Sequence, residues 1–252
     1  MAEKESFDLS KPLYTLGIHK GNNRLVMNLP KLITILWFGI VCINFVNLFA
    51  ACYTGFSWAE FAPSLDYLGC FRGHDRIYML SCVYSAIVLC ILCFGMQNRF
   101  RNVYRGEIKT GILYLNYAIV LLLPLLGYTN EINGEHFVSF ETLHPILTKI
   151  FLLLIAFWVG IHYSTLQKCR LNADEKKGLP ILKVTMVLLG ILGIALIFVR
   201  RSKQAGEDWA SGNLASFIDW TCMTILSFLP AIFGRFLRGF QVTLNVASKI
   251  KD

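Results

Sequence analysis

Ionisable side chains stand inside or near the ends of long apolar runs in this sequence. Lys149 and His162 lie near the two ends of the run from Pro145 to Tyr163, and Asp219 lies inside the last run of the chain. A charged side chain at the centre of a bilayer costs on the order of 2.5 to 3.5 kcal/mol on insertion scales unless it is paired, hydrated or neutralised. These residues therefore mark candidate functional positions if the runs cross a membrane.

The apolar runs have the length and composition of membrane spans. A helix needs about 20 predominantly apolar residues to cross the hydrocarbon core of a bilayer. The chain is 55% hydrophobic and only 16% charged, against about 25% charged residues in soluble domains. The sequence predicts an all-α polytopic membrane protein, a six-helix bundle with spans near residues 30–53, 77–96, 111–128, 145–163, 181–199 and 213–237.

The basic residues predict how this bundle is oriented. Of the 24 Lys and Arg residues, 18 fall in the two tails, in the two loops on the same side as the tails, or near the span ends that adjoin these segments. By the positive-inside rule both termini are expected in the cytosol. We expect residues 1–29 to form a cytosolic basic tail, residues 30–237 the membrane domain, and residues 238–252 a cytosolic amphipathic tail that lies on the membrane as an interfacial helix.

Two polar features of the spans lead to alternative interpretations. Asp219 and Lys149 lie at similar depth from the non-cytosolic side, so an ion pair between them is geometrically possible. Alternatively, Lys149 extends to the headgroups and Asp219 accepts hydrogen bonds from groups such as Asn47, which only fixes helix packing. Asn44 and Asn47 share one face of the first span, and we expect this face to contact protein.

Catalytic patterns are weak in this sequence. Asp66, His74 and His144 lie outside or at the edge of the spans, where carboxylates and imidazoles can bind a metal ion. No two histidines stand four residues apart on a helix, however, and there is neither a GxSxG turn nor a glycine-rich phosphate loop. The residues favour a protein without enzymatic activity, and we expect no cofactor, no metal ion and no nucleic acid partner.

Four segments resemble those of a known family. They are PSLDYLG before the second span, HDR at its start, ETLHPILTKIF entering the fourth, and FIDWTCMTIL in the sixth. Over residues 29–237 this pattern resembles the FRAG/DRAM/SFK family, which includes the post-GPI-attachment Golgi factor and the damage-regulated autophagy modulators. The resemblance implies an integral protein of the endoplasmic reticulum or Golgi, or alternatively of the lysosome or plasma membrane. It also implies that His144 and Asp219 lie in the outer half of the bundle.

The resemblance and the residues together predict a role in lipid handling. We expect a non-enzymatic lipid-binding or docking subunit of a larger lipid-transfer or GPI-lipid-handling assembly, with membrane lipids and other proteins as partners. One alternative is a GPI-anchor remodelling factor that takes part in acyl exchange, and a weaker one is a channel or transporter. The candidate headgroup-binding residues are Asp219, Lys149, His144, Asn47, Asp66, His74 and Arg76.

Overall fold

Helices make up most of the described chain. The structure, a computed structural model, describes residues 14–19, 22–53, 74–129, 143–198, 209–237 and 239–246. Within these residues the helices are α1 Leu29–Tyr53, α2 His74–Arg99, α3 Gly106–Thr129, α4 His144–Gln167, α5 Ala173–Phe198 and α6 Trp209–Gly234, which continues into a 3₁₀ turn, Arg235–Leu237. The strands are β1 Tyr14–His19, β2 Asn22–Asn28 and β3 Gln241–Val246.

The helices form a closed ring. Each helix packs against the next in sequence, and α6 packs against α1. Six helices of the described residues are long and apolar enough to cross a membrane, so the predicted six-span bundle is confirmed and the chain is an integral membrane protein. Large apolar side chains such as Phe49, Phe94 and Phe198 are exposed on the outside, as expected where the neighbour is lipid.

The two ends of the bundle differ. The strands lie at the end where α1 starts and α6 finishes, which we call the sheet end, and the opposite end is the far end. At the sheet end several helices are longer than predicted, and in α5 polar side chains cap the added turns. The backbone N–H of Glu175 donates to Asn172 Oδ1 at 2.8 Å, and the backbone N–H of Asn172 donates back to Glu175 Oε2 at 3.0 Å. This reciprocal capping box lets α5 begin at Ala173, before the predicted start at Ile181.

The segments on either side of the bundle form an antiparallel sheet. β2 lies in the middle and pairs with β1 and with β3, in a register that places Asn28 opposite Gln241 and Asn23 opposite Val246. The prediction of an interfacial helix in the last tail is therefore wrong over Gln241–Val246. Val242, Leu244 and Val246 alternate with polar residues, and this period of two favours a strand.

One buried ion pair ties the sheet end together. Arg99 Nη1, at the end of α2, donates to Glu175 Oε1 at 2.7 Å and also to the carbonyl oxygen of Phe236. The side chains of Arg99 and Glu175 are only 15% and 8% exposed. This Arg99 junction joins α2, α5 and the turn that leads into β3.

Candidate functional site

Polar side chains from four helices meet inside the far end of the bundle. We call Asn47 of α1, His74 and Tyr78 of α2, Thr129 of α3 and His144 of α4 the polar layer. All five are buried, and His144 is fully buried. His74 and His144 are the first residues of their helices and Thr129 is the last of its helix. The layer therefore lies close to the depth at which lipid headgroups meet the hydrocarbon core.

The α1 and α2 side of the layer is joined by amide groups. His74 Nδ1 donates to Asn47 Oδ1 at 2.9 Å. Further into the bundle, Ser81 Oγ donates to Asn44 Oδ1 at 2.7 Å. Both asparagines thus bond to α2, which confirms the prediction that their face of α1 contacts protein.

His144 joins α3 to α4 on the other side of the layer. Its Nδ1 lies 3.2 Å from the carbonyl oxygen of Leu126 and 3.3 Å from Thr129 Oγ1. Because a carbonyl oxygen only accepts hydrogen bonds, Nδ1 carries the proton and donates. Thr148 Oγ1 lies 3.5 Å from Nε2, so hydroxyl groups stand near both ring nitrogens.

Tyr78 brings the two sides of the layer together. Its ring meets the ring of His144 edge-on with centroids 6.4 Å apart, and it stands one helical turn from His74 on α2. Tyr78 and Thr129 were not identified from the sequence as site residues. Both are polar residues near the ends of spans, and this much is visible in the sequence. Their contacts depend on the rotation of each helix, which the sequence does not specify.

Two cations lie at the same end of the bundle as the layer. Arg76, two residues after His74, is exposed, and Lys149, five residues after His144, is half-buried. Within the described residues neither cation forms an ion pair. Asp66 lies outside the described residues, and so does the side chain of Asp219, whose backbone belongs to α6. The pairing of Asp219 with Lys149 therefore stays a prediction.

A separate group of buried polar side chains lies nearer the sheet end. Trp158 Nε1 donates to Asn116 Oδ1 at 2.7 Å. One turn along α4, fully buried His162 donates from Nδ1 to the Trp158 carbonyl oxygen at 2.8 Å, and its Nε2 has no hydrogen-bond partner among the described residues. The rings of Trp158, Phe100 and Phe233 lie around it with centroids 4.3 to 6.0 Å away. The sequence predicted that His162 would need a partner, a cavity or an interface; its Nδ1 has a partner in the Trp158 carbonyl oxygen, and aromatic rings surround the imidazole.

The geometry of the polar layer favours binding over bond-breaking chemistry. Its groups are hydrogen-bonding side chains, and Arg76 and Lys149 lie at the same end of the bundle. The described residues include no cluster of three or more His, Cys, Asp or Glu side chains placed to hold a metal ion. What the layer offers to a ligand is a set of hydrogen bonds in a low-dielectric environment and two nearby cations.

No protein-family model, curated protein or solved structure matches this chain significantly. The resemblance to the FRAG/DRAM/SFK family therefore stays a prediction from the four sequence segments.

Proposed function

We propose that this protein binds a membrane lipid and that the phosphodiester headgroup of the lipid lies against the polar layer at the far end. The observation that carries this proposal is the location of the layer: five buried polar side chains from four helices, at headgroup depth, with two cations within five residues of its histidines along the same helices. A lipid within the bilayer reaches this depth without leaving the membrane.

The cations favour a headgroup that contains phosphate. Arg76 is exposed and Lys149 half-buried, and neither pairs with an acid among the described residues. Hydrogen bonds between charged partners contribute about 1.5 to 3 kcal/mol each, more than neutral ones. A phosphodiester group has the charge and the acceptor oxygens for these contacts.

Helix packing alone gives a weaker account of the layer. Hydrogen bonds between membrane helices average about 0.6 kcal/mol, so a set of them adds little that close apolar packing would not provide. A ligand supplies a second reason for retaining polar groups at this depth. The two accounts differ in a measurable way, because only a binding site distinguishes between headgroups.

The wider roles expected from the sequence depend on the same site. A subunit of a lipid-transfer assembly and a factor that remodels GPI lipids both have to hold a phosphate-containing lipid in the bilayer. We place such a protein in a membrane of the secretory system, and the organelle follows from the identity of the bound lipid.

The test is lipid retention by the purified protein in mild detergent, measured by native mass spectrometry. The protein is supplied with phosphatidylcholine, phosphatidylinositol or diacylglycerol of matched acyl chains. We expect both phospholipids to be retained and diacylglycerol to be retained at least tenfold less, in line with about 1.5 kcal/mol or more from phosphate contacts. A preference between the two phospholipids then identifies the headgroup.

Three variants locate the site. Lys149→Gln removes one cation, and Asn47→Leu removes the acceptor of His74; each is expected to lower phospholipid retention about tenfold. Asn116→Leu is the matched control, because Asn116 is also a buried asparagine but bonds to Trp158 outside the layer. Equal retention of diacylglycerol, or losses as large in the control as in Lys149→Gln, would overturn the proposal.

A further inference from the structure

A small cavity lies at the centre of the helix ring. Its volume is about 50 Å³, and side chains of α1, α2, α3, α4 and α6 line it. The lining is apolar apart from the hydroxyl-bearing side chains of Ser85 and Ser227. The cavity is partly open, not sealed. Such a space suits a short length of hydrocarbon better than a polar or charged group.

The cavity lies below the polar layer at the same depth on three helices. Seven residues separate the layer from the lining on each of them: Asn47 from Ile40, Tyr78 from Ser85, and His144 from Phe151. Seven residues are two helical turns, or about 10 Å along each helix. The cavity therefore lies about two helical turns from the layer, toward the sheet end.

Side-chain contacts connect the two levels. Met223 of α6 lines the cavity and also packs against Tyr78 and Cys82 of α2. Contact between side chains thus continues from the polar layer through Tyr78 and Met223 to the cavity. Polar groups above and an apolar space two turns below are arranged like the two parts of a bilayer lipid.

We propose that the cavity receives part of an acyl chain of the lipid whose headgroup lies at the polar layer, and that it makes binding selective for the acyl chain. This inference rests on the proposed function and adds a second determinant to it. At about 50 Å³ the cavity takes only a short length of one chain. The shape of that chain at this depth therefore decides how well the lipid fits.

The proposal predicts an unusual response to filling the cavity. Ser85→Leu places a larger apolar side chain in the space. Filling an empty cavity commonly stabilises a protein without affecting ligands bound elsewhere. If an acyl chain occupies the cavity, the new side chain displaces it. Ser85→Ala, which removes the hydroxyl without filling the space, is the matched control.

The experiment compares dioleoyl phosphatidylcholine with dihexanoyl phosphatidylcholine, which shares its headgroup, by retention in native mass spectrometry. We expect Ser85→Leu to lower retention of the dioleoyl lipid about tenfold, the equivalent of about two buried methylene groups, and to leave the short-chain lipid unchanged. Ser85→Ala should change neither. Loss of both lipids to the same extent, or of neither, would overturn the cavity assignment.

A second variant keeps the test valid if Ser85→Leu does not fold. Phe151→Leu enlarges the cavity, and we expect it to increase retention of diphytanoyl phosphatidylcholine, whose chains carry methyl branches, relative to the dioleoyl lipid. An unchanged ratio would contradict the assignment. Asn47→Leu separates the two proposals. If it lowers retention of both the dioleoyl and the dihexanoyl lipid while the cavity variants have no effect, only the cavity inference fails. If retention is unchanged in Asn47→Leu, the result counts against the polar-layer site itself.

Discussion

Replacing Arg99 by alanine should destabilise the whole bundle. Arg99 Nη1 donates to Glu175 Oε1 and to the Phe236 carbonyl oxygen, and the paired side chains are 15% and 8% exposed. Removing one partner of a buried ion pair costs about 3 to 5 kcal/mol, because the other charge stays buried without compensation. The backbone N–H of Asn172 still donates to Glu175, so we take the lower limit, about 3 kcal/mol.

That free energy corresponds to a large shift in the melting temperature. A loss of 1 kcal/mol lowers Tm by about 2 to 4 °C in a protein of this size, so Arg99→Ala should lower Tm by about 6 to 12 °C. The assay is thermal unfolding in detergent with a dye that fluoresces on reaction with thiols. The thiols of Cys82, Cys93 and Cys222 are buried, so they react when the bundle opens.

Two further variants show whether the ion pair is the cause. In the double variant Arg99→Ala with Glu175→Ala no buried charge is left alone, and we expect it to melt at a higher temperature than Arg99→Ala. Arg101→Ala is the matched control, because Arg101 lies two residues further along and is exposed; its Tm should change by about 1 °C or less. If the double variant melts lower than both Arg99→Ala and Glu175→Ala, and its Tm shift equals the sum of their two Tm shifts, the reasoning is refuted.

Two other predictions concern packing at the helix ends. Burial raises the pKa of the Tyr104 phenol, and the hydrogen bond to Thr165 partly offsets this; the folded state therefore holds the proton longer than the unfolded state. Stability from this group is present below about pH 10 and is lost as the pH rises through the folded pKa. In Tyr104→Phe this loss of stability at high pH should be absent. Tm measured from about pH 8 to 11 in the original protein and in the variant checks this, and parallel curves of Tm against pH would contradict it. At Gly127 an added Cβ would lie 3.2 Å from Met79 Cα, so Gly127→Ala should cost about 1 to 3 kcal/mol. Gly190→Ala, which meets nothing within 4 Å, should leave Tm equal or higher, and an equal loss in both would refute the packing argument.

The spans were predictable because each follows from a property of one segment. Length and hydropathy identified all six helices, and their boundaries at the far end were closer to those observed than their boundaries at the sheet end. The strands were missed because the basic residues of the tails favoured an interfacial helix. The alternation of Val242, Leu244 and Val246 was the signal for β3, and it becomes decisive only once β2 is available as a partner.

The candidate site was predictable as residues but not as a structure. Asn47, His74 and His144 were identified because polar groups near a membrane are costly, and all three proved to be buried in one layer. Which of them meet depends on how each helix rotates about its axis, and a single sequence does not specify this. Thr129 therefore entered the site only through its contact with His144.

The antiparallel pairing of β2 with β3 has a consequence for biosynthesis. β2 precedes the first span and β3 follows the sixth, so the sheet can be completed only after every span has been made. Until then one edge of β2 carries unpaired N–H and C=O groups, a surface that other strands and chaperones recognise. A nascent chain arrested before α6 keeps this edge open. Completion of the sheet thus covers this edge of β2 only after the sixth span has been made.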